Sequence, residues 1–271
     1  MQYKQIPAPE HLKAYVRYFW TLEAPPESNA PQSFRTIADG SPGLIFHQVE
    51  QGSFYQNEKL LPDIFLYGQA TTHAEIRATG KLRAVGIFFH PNALKSVFGL
   101  NAGELTDTCV DVNILTAPDG ISLSEQLVNT PSINHQIDLL SSWLHTQAGR
   151  NYTRNNDIMQ YAVSAIARSK GNISLKKVQM ELLLTERSFE RKFKEYIGIS
   201  PKLFSRICRF QASLQQLKSN DYQKLSDIAF ENEYSDQSHF IRAFKEFAGF
   251  SPFQYQKQVA EVFENLTAPI K

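Results

Sequence analysis

Cysteine is scarce in this 271-residue chain. Cys109 and Cys208 are the only two, far apart and without a C-x-x-C pair, which excludes a disulfide framework and a cysteine-based zinc site. Long apolar runs are missing as well: none approaches the eighteen or so residues a membrane span needs. The segment MQYKQIPAPEHLK contains no signal-peptide core, so a cytoplasmic protein with no membrane partner is expected. Metal-ligand spacing is absent too. His47, His73 and His90, with Glu50 and Glu75 nearby in sequence, form no H-x-H or H-E-x-x-H, so no metal, no cofactor and no catalytic residue is expected. Asp39-Gly40-Ser41 belongs to DGSPG, whose composition is that of a turn.

What remains is ordinary globular material, 42% hydrophobic and 20% charged, long enough for two domains. The net charge of +1 conceals an asymmetry: residues 1–150 carry 10 basic and 14 acidic side chains, residues 151–271 carry 18 and 13. A basic half joined to an acidic half suits a chain of which one part faces a polyanion.

Texture divides the chain at the same place. YVRYFWTL (15–22), GLIFHQV (43–49), DIFLYGQ (63–69) and AVGIFFH (84–90) are short aromatic and β-branched runs between Pro and Gly, and predict strands of an antiparallel barrel or sandwich. ALKSVFGL (93–100) predicts a short helix. Residues 133–147 place Ile133, Ile137, Leu140 and Leu144 on one helical stripe, which fits packing on the sheet or on a second copy. AGRNYTRNN (148–156) reads as a linker. Beyond it everything predicts helix: 157–169, 175–182, 186–197, 201 to about 218, 224–232, a helix capped by Ser235 or Asp236 and running to 247, and a last one from Pro252. The fold class expected is α+β with two domains, 1–150 and 151–271. The first is mainly antiparallel β with flanking helices, the second all-α.

Inside the helical half an eleven-residue unit recurs. RKFKEYIGISP (191–201) and RAFKEFAGFSP (242–252) share seven positions at an offset of 51 residues. Each shared residue has a local role, since Phe packs, Gly ends a helix, and Ser-Pro caps and opens the next. Each copy follows a short helix and a tight connection, which is the helix-turn-helix plan at about 174–197 and 224–247. One face of each second helix is apolar (Phe189, Phe193, Ile197; Phe240, Phe244, Phe247). The other is polar, with Glu186, Arg187, Glu190, Arg191 and Lys194 in the first and Gln237, Ser238, His239, Arg242 and Lys245 in the second. Arg, Gln and Ser are chemically suited to base edges, although a solvated face is the plainer reading of any one such helix.

From Ile173 to Lys257 the chain resembles the two-repeat DNA-binding domain of AraC/XylS-type transcription regulators. Ile228, Ala229, Asp236, Ser238, Phe240, Arg242, Phe244, Lys245, Gly249, Ser251, Pro252 and Tyr255 all match that family's long signature. FWTLEAPP (19–26), FRTIADGSPGLIFH (34–47) and GIFFHPNALKSVFG (86–99) are similar to a poorly characterised domain found fused to such units. The resemblance implies two recognition helices in adjacent major grooves of double-stranded DNA, RNA polymerase as a partner, and transcriptional control, activation included. By position it implies base contacts for Arg187, Glu190, Arg191, Ser238 and Arg242. Gln237 and His239 join them on face and chemistry. Lys194, Lys202, Arg206 and Lys245 are expected at phosphates, and Arg209 at phosphate or in an ion pair inside the domain. The family's turn glycine is Leu183 in the first unit and Glu233 in the second. A small-molecule effector, or a homodimer contact, remains open for the first domain, whose aromatic residues (Tyr15, Tyr18, Phe19, Trp20, Phe46, Tyr67, Phe88, Phe89) suit an apolar pocket or a plain core.

Overall fold

The computed structural model describes residues 2–24, 32–116, 122–151 and 155–258; residues 152–154 of the expected linker lie outside them. Among the described residues, ten strands form two antiparallel sheets. They are β1 (Gln2–Pro7), β2 (Val16–Ala24), β3 (Gln32–Thr36), β4 (Gly43–Glu50), β5 (Phe54–Gln56), β6 (Lys59–Leu60), β7 (Ile64–Tyr67), β8 (Ala74–Ala78), β9 (Lys81–Phe89) and β10 (Cys109–Asp111). The larger sheet has the order β1-β2-β9-β4-β7-β10 and the smaller β3-β8-β5-β6. The arrangement is a sandwich, with no closed barrel among the described residues.

The central strands explain their own apolar runs. In β9, Leu82, Ala84 and Phe88 face the smaller sheet, while Val85, Ile87 and Phe89 face a layer of helices. In β2, Tyr18, Trp20 and Leu22 face one way and Val16 and Phe19 the other. A strand covered on both faces loses the polar half of its alternation, so GLIFH and AVGIFF are nearly continuous. The covering helices are α1 (Ala93–Phe98), α2 (Val112–Thr116), α3 (Leu123–Val128) and α4 (Ile133–Asn151). α4 lays Ile137, Leu140, Leu144 and Ala148 into the core of its own chain. It also runs through the first four residues of the expected linker, to Asn151.

The helical half holds α5 (Asn155–Arg168), α6 (Leu175–Glu181), α7 (Glu186–Ile197), α8 (Pro201–Ser219), α9 (Leu225–Glu231), α10 (Gln237–Ala248) and α11 (Pro252–Gln258). The sequence places all seven within a few residues because their caps are local. The hydroxyls of Ser174, Thr185, Ser200 and Ser251 accept the N–H of Lys177, Ser188, Leu203 and Gln254, and the Asp236 carboxylate accepts that of His239 at 2.7 Å. Gly198 (φ 98°) and Gly249 (φ 77°) end α7 and α10 in the left-handed region that glycine enters without steric cost.

α8 is the axis of this half. Phe204 packs on Phe193 of α7, with ring centroids 5.6 Å apart, and Phe210 packs on Phe244 and Phe247 of α10, each at 5.3 Å. The sandwich reaches into the same core. Ile37 and Ala38, between β3 and β4, are buried among these helices. Ala38 donates its N–H to the Phe247 carbonyl (3.2 Å) and accepts from the Gln211 side chain (2.6 Å). On the other flank Lys95 of α1 pairs with Glu195 of α7 at 2.9 Å, and the Thr106 hydroxyl donates to the Gly198 carbonyl at 2.8 Å. Both repeated helices are therefore held near their C-terminal ends by the β-rich half.

Candidate nucleic-acid interface

Helical periodicity sorts the polar residues of α7. Arg187, Glu190, Arg191 and Lys194 are exposed along one face, while Phe189, Phe193, Tyr196 and Ile197 are buried on the other. α10 repeats the division: Gln237, Ser238, Arg242 and Lys245 are exposed, while Phe240, Ala243, Phe244 and Phe247 are buried. Each helix thus presents a row of donors and acceptors carried by a helix whose opposite side is fixed in the core. α8, of 19 residues, is roughly 28 Å long at 1.5 Å per residue. That approaches the ~34 Å between successive major-groove faces on one side of B-DNA.

Some expected contact residues have partners inside the chain. His239 is half-buried, its Nδ1 3.1 Å from the Ser235 hydroxyl and its ring edge-on to Tyr234. Arg206 is ion-paired with Glu246 at 2.5 Å and lies over the Phe247 ring. Arg209 makes hydrogen bonds rather than an ion pair: its Nε donates to the Asn172 side chain at 2.9 Å. Lys202 is exposed at the start of α8 and shares a shallow groove with Lys176, Glu186 and Glu190. Lys176 and Lys177, exposed at the start of α6, escape a reading of the sequence alone; the Lys-Lys pair directly after the Ser174 cap is the available signal. Asp236, at the head of α10, is held below the usual carboxylate range, first by the His239 N–H it accepts.

The connections keep the geometry that normally requires glycine. Leu183 (φ 53°) and Glu233 (φ 56°) both stand in the left-handed region. Leu183 is 92% exposed, so little packing compensates the strain. The second connection, 232–236, is one residue longer than the first, 182–185. A left-handed non-glycine residue costs roughly 1–2 kcal/mol, and the extra freedom of glycine in the unfolded chain offsets about half of that. Leu183→Gly and Glu233→Gly should each therefore raise stability by about 0.5–1 kcal/mol. Urea unfolding followed by circular dichroism measures it; a loss of stability in both variants contradicts the strain argument.

Comparison with known proteins follows the same division. Residues 180–258 match the helix-turn-helix domain family, and residues 4–111 match a domain of unknown function, DUF6597. A curated relative, an uncharacterized HTH-type transcriptional regulator of Haemophilus influenzae, is 27% identical over 151 residues, 51% of this chain and 50% of its own. The chain thus spans about half the length of the curated relative it matches. Among solved structures, ToxT of Vibrio cholerae aligns with a TM-score of 0.47 at 14% identity, covering 88% of this chain and 97% of its own. The C-terminal domain of AraT, a response regulator from Geobacillus stearothermophilus, aligns with a TM-score of 0.36 at 25% identity, covering 43% of this chain and 95% of its own. With two capped helix-turn-helix units on one connecting helix and a family match over residues 180–258, the C-terminal part of this chain carries a helix-turn-helix domain of the AraC type.

Proposed function

We propose that the protein is a cytoplasmic, sequence-specific transcription regulator. Its residues 151–271 read DNA, and its residues 1–150 form a domain that senses a small molecule. The observation that carries this reading is the duplication of an exposed polar face, on α7 and again on α10, at the two ends of one rigid helix. The faces differ in chemistry, Arg/Glu on the first and Gln/Ser/Arg on the second, which suits an asymmetric site of nearly two helical turns better than uniform backbone binding. RNA polymerase is the partner such a regulator would act on.

Arg191 and Lys194 test the division between base and phosphate contacts. Arg191→Ala should lose about 1–3 kcal/mol on the preferred site and relax preference at one base pair; Lys194→Ala should weaken all sequences alike and lower the salt slope by about one. Selection from a random DNA pool, followed by gel-shift titration of the selected sequence, measures both. No enrichment from the pool would overturn the regulator reading, and an Arg191→Ala protein with unchanged affinity and base preference would overturn the contact assignment. A second reading, a constitutive regulator whose first domain serves only to make a homodimer, is favoured by the exposure of Ile114 (68%) and Val128 (50%) on its helical layer. Light scattering on the full chain separates the two: a monomer removes the second reading.

A further inference from the structure

Both recognition helices end on a glycine against which the first domain docks. A Cβ on Gly198 would come 2.9 Å from the Ala102 carbonyl oxygen and 3.0 Å from the Thr106 hydroxyl. One on Gly249, at the same position of the second repeat, would come 2.6 Å from the His73 ring. Bare main chain at these two points admits a neighbour that any other residue would push away. The repeated unit therefore meets the β-rich half twice, at equivalent places.

The two contacts differ in chemistry. At the end of α7 the Thr106 hydroxyl donates to the Gly198 carbonyl, and Lys95 pairs with Glu195. At the end of α10 the Ala38 N–H donates to the Phe247 carbonyl, and the Arg35 guanidinium lies 3.9 Å from the centroid of the Phe250 ring.

Inside the first domain these contacts are joined to each other. The buried side chain of Gln69 donates to the Gly40 carbonyl at 3.0 Å, close behind Ala38 in the chain. The Gln69 main-chain carbonyl accepts the N–H of Asp107, the residue after Thr106, at 2.9 Å. The Asp107 carboxylate in turn accepts the Thr71 N–H at 2.7 Å and the Thr71 hydroxyl at 2.6 Å, just ahead of His73. The two loops also lie main chain on main chain, since a Cβ on Gly68 would come 2.1 Å from the Leu105 carbonyl oxygen. A short hydrogen-bonded path thus runs from Gly198 through Thr106, Asp107 and Gln69 to Gly40 and Ala38, and so to the end of α10.

α7 and α10 rest on α8 through aromatic rings. Such contacts hold a helix down but set its angle loosely, because apolar attraction has no direction. Hydrogen bonds do have one, and they weaken steeply when bent. We propose that the β-rich half is a brace fixing the separation and relative angle of the two recognition helices. Thr106 and Asp107 are its positioning residues: without touching DNA, they determine which spacing between the two contacted DNA segments is read. The brace rests on the reading that α7 and α10 both enter DNA, and it needs no small molecule.

One base pair added between the two segments moves the second by about 3.4 Å and turns it by about 34°. The sequence selected from a random pool by the full chain, with its two segments located by hydroxyl-radical footprinting, supplies the parent site. Gel-shift titrations compare it with sites carrying one base pair more or one fewer between the segments. Wild type should lose about tenfold or more on both altered sites. Thr106→Val keeps the volume and removes the donor, while Asp107→Gly removes the carboxylate and suits the left-handed φ of 57°. Each variant should cut the spacing penalty at least about threefold on one altered site. Thr106→Ser, which restores the donor, and Asp107→Asn, which keeps an oxygen for the Thr71 N–H, should bring the wild-type penalty back. Thermal melts check folding, and if one variant does not fold the other decides.

Contacts that only add stability would weaken binding to all three sites alike. The brace is overturned if wild type is indifferent to spacing, if a folded variant keeps the wild-type penalty, or if neither rescue restores it. A wild-type chain that enriches no DNA refutes the regulator reading and the brace with it. Unchanged penalties on an enriched site refute the brace and leave the regulator reading standing.

Discussion

Phe210→Ala should lower the stability of the helical half by about 3–5 kcal/mol and abolish high-affinity DNA binding. The ring is fully buried on α8 and meets both Phe244 and Phe247 of α10. Truncating a buried Phe loses its transfer free energy and leaves a cavity that neighbours fill only partly, which gives the 3–5 kcal/mol range. A domain is typically stable by about 5–15 kcal/mol, so the loss is a large fraction. The direction of damage is also specific. Phe210 anchors the second unit, whereas Phe204, against Phe193 and beside Gly40, anchors the first unit and the sandwich loop. Phe204→Ala should therefore loosen α7 and the 37–42 segment, and Phe210→Ala should loosen α10. Urea unfolding by circular dichroism gives the magnitude, and hydrogen exchange of the α7 and α10 amides gives the location. A loss below about 1 kcal/mol for Phe210→Ala, or equal deprotection of both helices in both variants, would remove α8 from its role as a shared axis.

The helical half was legible in the sequence because its punctuation is local. Ser174, Thr185, Ser200 and Asp236 cap the helices they begin, and Gly198 and Gly249 stop α7 and α10. The left-handed turns were legible as positions but not in outcome. A signature that expects glycine shows where strain falls, while only coordinates reveal that Leu183 and Glu233 keep the geometry. The β half was read at its centre and missed at its edges. β2, β4, β7 and β9 carry strong apolar runs, whereas β1 is mostly exposed and β5, β6 and β10 have three residues or fewer. Their pairing is decided by neighbours far along the chain. The interdomain hold was invisible for the same reason. DGSPG looked like a turn by composition, and nothing local indicates that Ala38, just before it, bonds to residues 211 and 247.

Asp39→Asn should flatten the pH dependence of stability and raise it at pH 8 by up to about 3 kcal/mol. Burial lifts the Asp39 carboxyl from 3.8 to about 6, against the opposing effects of the Arg17 charge and the Ser41 N–H. Between about pH 4 and 6 the folded chain then holds a proton that the unfolded chain has released. Stability from this group is greatest below pH 4 and falls as pH rises through 6; about two units at 1.36 kcal/mol each set the ~3 kcal/mol ceiling. His47 and His90 act in the opposite sense. Burial lowers both below the ordinary histidine value, so their share of stability rises as pH climbs through the unfolded histidine range. The two trends overlap in wild type, and subtracting the curve of the Asp39→Asn variant from it cancels the histidines. The substituted amide keeps an oxygen for the Ser41 N–H, which Asp39 accepts at 3.0 Å in wild type, and Arg17 keeps its 2.9 Å bond to the Ser41 hydroxyl. The difference curve should be near zero at pH 4 and reach its plateau above pH 7. Parallel curves across that range would mean that the carboxyl ionises in the folded protein as it does in water, and that loop 37–42 opens to solvent far more than its burial implies.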